Sequence, residues 1–504
     1  MTYHLGRVVH WMHNKNVNPY PTYIDRQVTQ PPLAEYYLLH IHLLTAYTPV
    51  LNFVQWLFFA ASILVVSLIV RSLGGDRKMQ LYSMFFTATM PMAILQSNST
   101  QNDIVLGFFM LCAVYFLLAL HTEKSIVHSV LLFSVSCGLA LITKGVALIF
   151  LLPVVPVFTF LLIRKTQQRS PVYILFTIAV ICLLTFPYAT RNYTVYRSPL
   201  GNAYNLNNDC YSFQGIFGNS TKNIAIQLRT PFPKINDAVT RATVKINTAL
   251  GVDTFSETYN WHYSPRFSVG YFSTQEDTAG NFLHTLLGIV CLVLLMSIKS
   301  LRRSKWLLLA VLPISMFLLF NLILKWQVWH VRLFVSIGFL LCGVLACCVN
   351  RWPVYLRYTI ILLFCTSASL FLFFNNGRPL LGKNSIFTAS GTEQYFANNK
   401  PLQPVFEKIT ELMLENNVEM LGYVASGDAW EYPLWALSEK NVFVEHIDVP
   451  NATRNAFRDR LEKTRLPEMI VSNHSELASE DVYVYAGVSY FKIWRDGNWS
   501  AYLK

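Results

Sequence analysis

Charged side chains are scarce in this chain: Asp, Glu, Lys and Arg make up 13 % of its 504 residues. That is about half the share of a soluble protein. With 53 % hydrophobic residues, it cannot dress the surfaces of two or three water-soluble domains. Acids are rarer than bases, 28 against 40, for a net charge of +12. A nucleic-acid binder would gather its Lys and Arg on one folded polar face. Here they fall mainly in short turns between apolar runs, so no nucleic-acid partner is expected. Of nine cysteines, Cys112, Cys137, Cys182, Cys291, Cys342, Cys347, Cys348 and Cys365 lie inside apolar runs, and only Cys210 lies in a polar loop. That distribution excludes a disulfide framework and any cysteine metal-ligand spacing. No P-loop, Gly-rich dinucleotide loop or nucleophile elbow is present.

What is abundant is apolar length. Ten runs are long enough, or nearly so, to cross a hydrocarbon core about 30 Å thick. They cover 50–72, 80–97, 103–120, 126–142, 145–163, 172–190, 281–298, 306–324, 330–349 and 354–374. Only Thr143-Lys144 separates the fourth from the fifth, which calls for a tight hairpin. One set of junctions is short, basic and almost free of acids. It holds Arg71, Arg77 and Lys78; Lys124; Arg164, Lys165 and Arg169; Lys299, Arg302, Arg303 and Lys305; Arg351 and Arg357. By the positive-inside rule this set faces the cytoplasm. The alternate junctions, with Asp103, Lys144, the 191–280 loop and Lys325, then face outside, as do residues 1–49 and everything after about 375.

An external N-terminus calls for an earlier membrane segment, and Met1–Thr48 contains none, so one transmembrane helix upstream of Met1 is expected. Pro32–Tyr47 reads as an amphipathic helix lying in the interface. From Arg378 onward the composition is that of a soluble domain. Helical patterns at 402–416 and 453–464 alternate with strand-like runs Val418–Ala425, Val442–Val449, Met469–Ser472, Val482–Tyr485 and Phe491–Trp494. That alternation predicts a small α/β domain. Gly427–Trp435 reads as a strand-to-helix turn with aromatic packing rather than a saccharide-binding edge.

Polar groups gather at the external helix ends: Asp25 and Arg26, Asp103, Lys144, Glu276 and Asp277, Lys325, His330 and Arg332. An ionisable group at such depth costs a few kcal/mol unless it is paired or functional. His4, His10 and His13 lack a Cys or carboxylate at a fixed spacing, so no metal site is expected there.

Several motifs resemble one family. The run Tyr3-His4-Leu5-Gly6-Arg7, then Trp11, Asp25-Arg26-Gln27 and Pro31-Pro32-Leu33-Ala34-Glu35-Tyr36, is similar to the first external loop of GT-C glycosyltransferases. This group includes protein O-mannosyltransferases and bacterial aminoarabinose transferases. Asn102-Asp103 opening a helix, Gly138-Leu139-Ala140-Leu141-Ile142-Thr143-Lys144-Gly145, and Arg332 starting a late helix extend the resemblance over most of residues 1–350.

The resemblance implies an all-α polytopic membrane protein of the GT-C type with a C-terminal external α/β domain. It implies transfer of a sugar from a polyprenyl phosphate to an acceptor glycan, lipid or protein on the non-cytoplasmic face, in a bacterial plasma membrane. Its partners are that donor, membrane lipid and the acceptor; a divalent cation is the one cofactor left open. In the family an Asp in the first external loop serves as base, in patterns like Asp-Ser-x-Thr-Tyr-His. Here the chain begins Met1-Thr2-Tyr3-His4, so that Asp would fall just upstream, and the chain as it stands is expected to lack its principal base. The family's Glu-Lys before Pro-Pro is replaced by Thr29-Gln30, which removes one phosphate-binding lysine.

The chemistry needs a carboxylate to take the acceptor proton and cations to receive the departing phosphate. Asp103 and Asp25 are the candidate catalytic carboxylates. Lys144, Arg332, His330, Tyr3, His4, Arg7, Arg266, Glu276 and Asp277 are the candidate substrate-binding residues. Blander readings stand beside them. Asp103 is also a good helix cap, Asp25 a loop partner for Arg26, and Lys144 a snorkelling lysine. Arg332 and His330 are interfacial anchors beside Trp326 and Trp329, and Arg266, Glu276 and Asp277 a solvated loop. A transporter or lipid-linked-glycan flippase, the alternative, predicts acids near mid-membrane, and the middles of the ten runs hold none. A non-catalytic scaffold would leave the convergence of Asp103, Lys144 and Arg332 without a reason.

Overall fold

The computed structural model describes residues 3–122, 125–202, 206–264, 266–299, 305–438, 442–457 and 465–504. Lys124, Arg302 and Arg303 of the basic junctions lie outside these residues, as does most of the helical pattern at 453–464. The chain divides into two compact units. One comprises Met1–Thr48, Phe186–Asn202 and Lys383–Lys504; the other comprises Pro49–Thr185 and Ala203–Gly382.

The second unit is helical. Among the described residues, five helical stretches are long and apolar enough to cross a membrane: Thr48–Ser72, Asp103–Leu120, Ala147–Tyr196, Trp306–Ile323 and Val354–Phe373. Ala147–Tyr196 runs 50 residues and turns at Gln167, whose φ is 47°. Ile126–Leu141, Phe282–Ser297 and Val335–Val349 are apolar but shorter. This is an integral membrane protein.

Two of the ten expected spans are broken. The run 80–97 divides into Arg77–Ala88 and Pro91–Ser97. Pro91 has no N–H to continue a helix and suits the first turn of the next one. The run 330–349 divides at Phe334 into His330–Leu333 and Val335–Val349. Apolar periodicity does not register either break. The hairpin at Thr143-Lys144 is present, between Ile126–Leu141 and Ala147–Thr166. Just before it, a Cβ on Gly138 would sit 2.6 Å from Leu184 of the helix Ser170–Tyr196, so glycine lets Ile126–Leu141 approach that helix closely. The 191–280 region adds two helices, Phe213–Gln227 and Pro233–Ala249.

The first unit joins the N-terminal segment to a six-stranded sheet. Its strands are β1 (Met420–Val424), β2 (Phe443–His446), β3 (Met469–Ser472), β4 (Val482–Tyr485), β5 (Val488–Asp496) and β6 (Trp499–Leu503). The order is β2-β1-β3-β6-β5-β4. β1 pairs in parallel with β2 and β3, and the other pairings are antiparallel. β1 and β3 are buried along their whole length, which is why they read as continuous apolar runs. β6 escaped the sequence reading because its Trp-Ser-Ala-Tyr-Leu has little apolar run. The helix Gln403–Glu415 lays Val405, Phe406, Ile409, Leu412 and Met413 on this core. Pro32–Tyr47 forms the helix Leu33–Thr45, with Leu43 and Leu44 exposed.

Leu421 is fully buried in β1, so Leu421→Ala should cost about 2–5 kcal/mol. Thermal unfolding followed through Trp430, Trp494 and Trp499, which pack on the same core, should move to lower temperature; an unchanged transition would contradict this packing.

Candidate active site

In the second unit the helix Asp103–Thr122 opens from the polar loop 98–102. Asp103 is 2 % exposed and sits in the first turn, where a carboxylate suits the helix dipole. The hairpin brings Lys144 to it. Lys144 Nζ donates to Asp103 Oδ1 at 2.6 Å, and the lysine side chain is only 16 % exposed. Asn102 Nδ2 donates to the Thr143 carbonyl at 3.1 Å, binding the loop to the hairpin a second time. Oδ2 of Asp103 is buried without a hydrogen-bond partner.

Beside this pair stands another. Arg332 donates to Asp277 Oδ1 and to Gln101 Oε1. Gln101 Nε2 donates to Asp277 Oδ1 at 3.1 Å. The two pairs lie close enough to share their fields. Burial pulls the Lys144 ammonium below its ordinary value; Asp103 opposes this, Arg332 adds to it, and Asp277 opposes it. Burial pushes the Asp277 carboxyl up, but Arg332, Gln101 and Lys144 outweigh it and hold the group below its ordinary value. Two cations and two carboxylates therefore form one quartet, in which Asp103 and Arg332 come from helix starts and Lys144 and Asp277 from the connections between helices.

The other candidates separate from it. Glu276 pairs with Arg378 at 2.8 Å, and its carbonyl accepts from Gln96 at 2.7 Å. His330 is 1 % exposed, packed against Phe320 and Phe334, with Nδ1 3.3 Å from Asn223. Its ring is therefore buried among neighbouring aromatic side chains. Arg266 is exposed on its loop.

Tyr3, His4, Arg7 and Asp25 belong to the first unit. Arg7 is fully buried and is engaged by its own loop. It donates to the carbonyls of Gln27, Arg26 and Gln30, the last two at 2.9 Å, and lies 3.4 Å from Glu35. His4 Nδ1 is 2.6 Å from Glu35. Burial alone would raise the Glu35 carboxyl, yet Arg7 and His4 bring it below its ordinary value. Tyr3 lies under the guanidinium groups of Arg7 and Arg26, at 5.9 and 5.7 Å. This geometry makes Arg7 and His4 braces of the loop, because their donors are already committed to it. Asp25 accepts from Tyr196 and from Asn202 Nδ2 at 2.9 Å, while Arg26 pairs with Asp428 instead. An open groove in this unit, lined by Asn18, Phe186, Pro187, Arg191 and Thr194 among others, touches none of the expected site residues.

Sequence reasoning missed Gln101, Arg378 and Asp209, the last paired with Lys325 at 2.8 Å. Gln101 lies two residues before Asp103, but an amide in a polar loop gives no pattern of its own.

Residues 45–197 match the family model described as dolichyl-phosphate-mannose-protein mannosyltransferase. Two solved structures of ArnT from Cupriavidus metallidurans, one bound to undecaprenyl phosphate and one in the apo state, superpose with TM-scores of 0.54 and 0.53. Each covers 99 % of this chain and 92 % of the other, at 11 and 10 % identity. The chain has the GT-C glycosyltransferase fold. The oligosaccharyltransferase from Archaeoglobus fulgidus is a looser likeness, with a TM-score of 0.49 and 15 % identity over 94 % of this chain and 63 % of the other. No curated protein matches in sequence.

Within this GT-C fold, removing Lys144 leaves Asp103 buried and uncompensated, which costs about 3–5 kcal/mol for a buried pair. Lys144→Ala should therefore lower the melting temperature, and Asp103→Asn added to it should restore part of the loss. Additive effects of the two substitutions in a melting-temperature cycle would contradict a coupled pair.

Proposed function

We propose that this chain transfers a sugar from a polyprenyl phosphate to an acceptor on the non-cytoplasmic face of a bacterial plasma membrane. The observation that carries this reading is the quartet itself: Lys144 and Arg332 stand together, each held by a carboxylate and neither fully enclosed. The GT-C fold supports it, as does the mannosyltransferase family match over residues 45–197.

In the transfer, the acceptor attacks C1 of the sugar and the bond from C1 to the phosphate oxygen breaks. The electron pair leaves with the polyprenyl phosphate, whose charge grows as it departs. Lys144 and Arg332 receive that charge, Arg332 through a planar fork that suits phosphate oxygens. Asp277 and Gln101 hold the guanidinium in place before the donor arrives, so little ordering is left to do on binding. Asp103 offers Oδ2, the oxygen not engaged by Lys144, to the hydrogen of the acceptor. A divalent cation, where one is used, would find its oxygen ligands among Asp103 and Asp277.

With the full chain in proteoliposomes and a radiolabelled undecaprenyl-phosphate sugar, Arg332→Ala and Lys144→Ala should each lower transfer by about 100-fold. Asp103→Asn should lower it comparably. Wild-type turnover in all three variants, with wild-type folding, would remove the quartet from the mechanism. Sidedness has its own check through Cys210, which is exposed in the 191–280 region. A membrane-impermeant maleimide should label Cys210 in intact cells, and labelling only after permeabilisation would reverse the orientation.

A further inference from the structure

One cluster in the first unit has no part in the proposed transfer. His10 stands on the helix His4–Asn14, Glu431 precedes the short helix Tyr432–Ala436, and His446 ends β2. Each offers one ligand atom, and the three atoms lie within 4.8 Å of one another. All three residues are buried. His10 Nε2 is 3.5 Å from Glu431 Oε2 and has no hydrogen-bond partner. His446 Nε2 is 2.6 Å from the same oxygen. Gln27 Nε2 donates to the other oxygen and fixes the plane of the carboxylate. The ion pairs of Glu431 are with these two histidines.

The geometry points to a structural zinc site formed by His10, Glu431 and His446, joining the N-terminal loop to the C-terminal sheet. Two imidazoles and a carboxylate are a ligand set zinc takes at about 2.0–2.2 Å, which places tetrahedral ligand atoms roughly 3.3 Å apart. The 3.5 Å separation of His10 from Glu431 meets that spacing as it stands. The 2.6 Å contact of His446 has to open, and what closes it without metal is a proton. The Tyr23 backbone N–H donates to His446 Nδ1 at 3.1 Å, which leaves the ring proton on Nε2 for Glu431. Zinc takes the place of that proton. The proton moves to Nδ1, and the Tyr23 hydrogen bond is given up. The Tyr23 N–H then faces a second donor and has to turn away, a cost that coordination by three buried ligands must exceed.

The surroundings favour a metal that holds rather than one that reacts. Tyr20 stacks on the His10 ring at 4.4 Å, and Trp435 meets it edge-on at 5.1 Å. Such walls hold the imidazole in one orientation, and with three protein ligands a water completes the tetrahedron. Sequence spacing could not show this site, because its ligands come from opposite ends of the chain and His4 and His13 take no part in the cluster.

The test uses the full chain in detergent, purified on a tag free of histidine. After exposure to zinc and gel filtration, elemental analysis should find about one zinc per chain. Cobalt loading should give the visible absorption of a tetrahedral site. His10→Gln and Glu431→Gln should abolish both signals, and a chelator should lower the melting temperature of the wild type but not of these variants. Wild-type protein that retains no more zinc or cobalt than His10→Gln would overturn the proposal, as would full retention by both variants. Should the variants fail to fold, the wild-type metal content decides by itself.

Discussion

The ion pair of Asp103 and Lys144 is the contact on which the rest of the candidate site depends. One 2.6 Å bond ties the start of the helix Asp103–Thr122 to the hairpin between Ile126–Leu141 and Ala147–Thr166. A lysine beside hydrocarbon without a partner loses its charge or leaves. Asp103 keeps Lys144 charged, and the Asn102 contact with Thr143 keeps the hairpin against the helix start. Arg332, Asp277 and Gln101 complete a network in which each charge has a partner and neither cation is sealed from solvent.

Much of the membrane fold could be read from apolar length, because a helix in lipid must satisfy its own backbone and so declares itself by composition. The two failures have local causes. Pro91 stops one helix and starts another inside a run whose apolarity is continuous. Phe334 divides the late run in the same unmarked way. In the C-terminal domain β1 to β4 were legible from their apolar residues. β5 proved longer than its core, and β6 was invisible because its place in the sheet comes from pairing with β3 and β5.

The site was legible to the extent that depth makes charge conspicuous. Asp103, Lys144, Asp277 and Arg332 stood out as ionisable groups at helix ends, and they do meet. Arg7 and His4 stood out through the family resemblance, and with Glu35 they brace the loop that contains them. Charge at an interface therefore marks a buried network without telling a brace from a ligand. Gln101 shows the converse, since it bridges Arg332 and Asp277 while carrying no charge to announce it. Glu431 and His446 were hidden for a third reason, as partners of His10 contributed by a distant part of the chain.

The central claim is that Lys144 and Arg332 together hold a lipid phosphate. Its most direct test is an experimental structure of the full chain in nanodiscs with undecaprenyl phosphate. The account predicts the phosphate within hydrogen-bond distance of Lys144 Nζ and the Arg332 guanidinium, with Asp277 still holding the latter. Phosphate density seated elsewhere, with both cations still closed on their carboxylates, would contradict it.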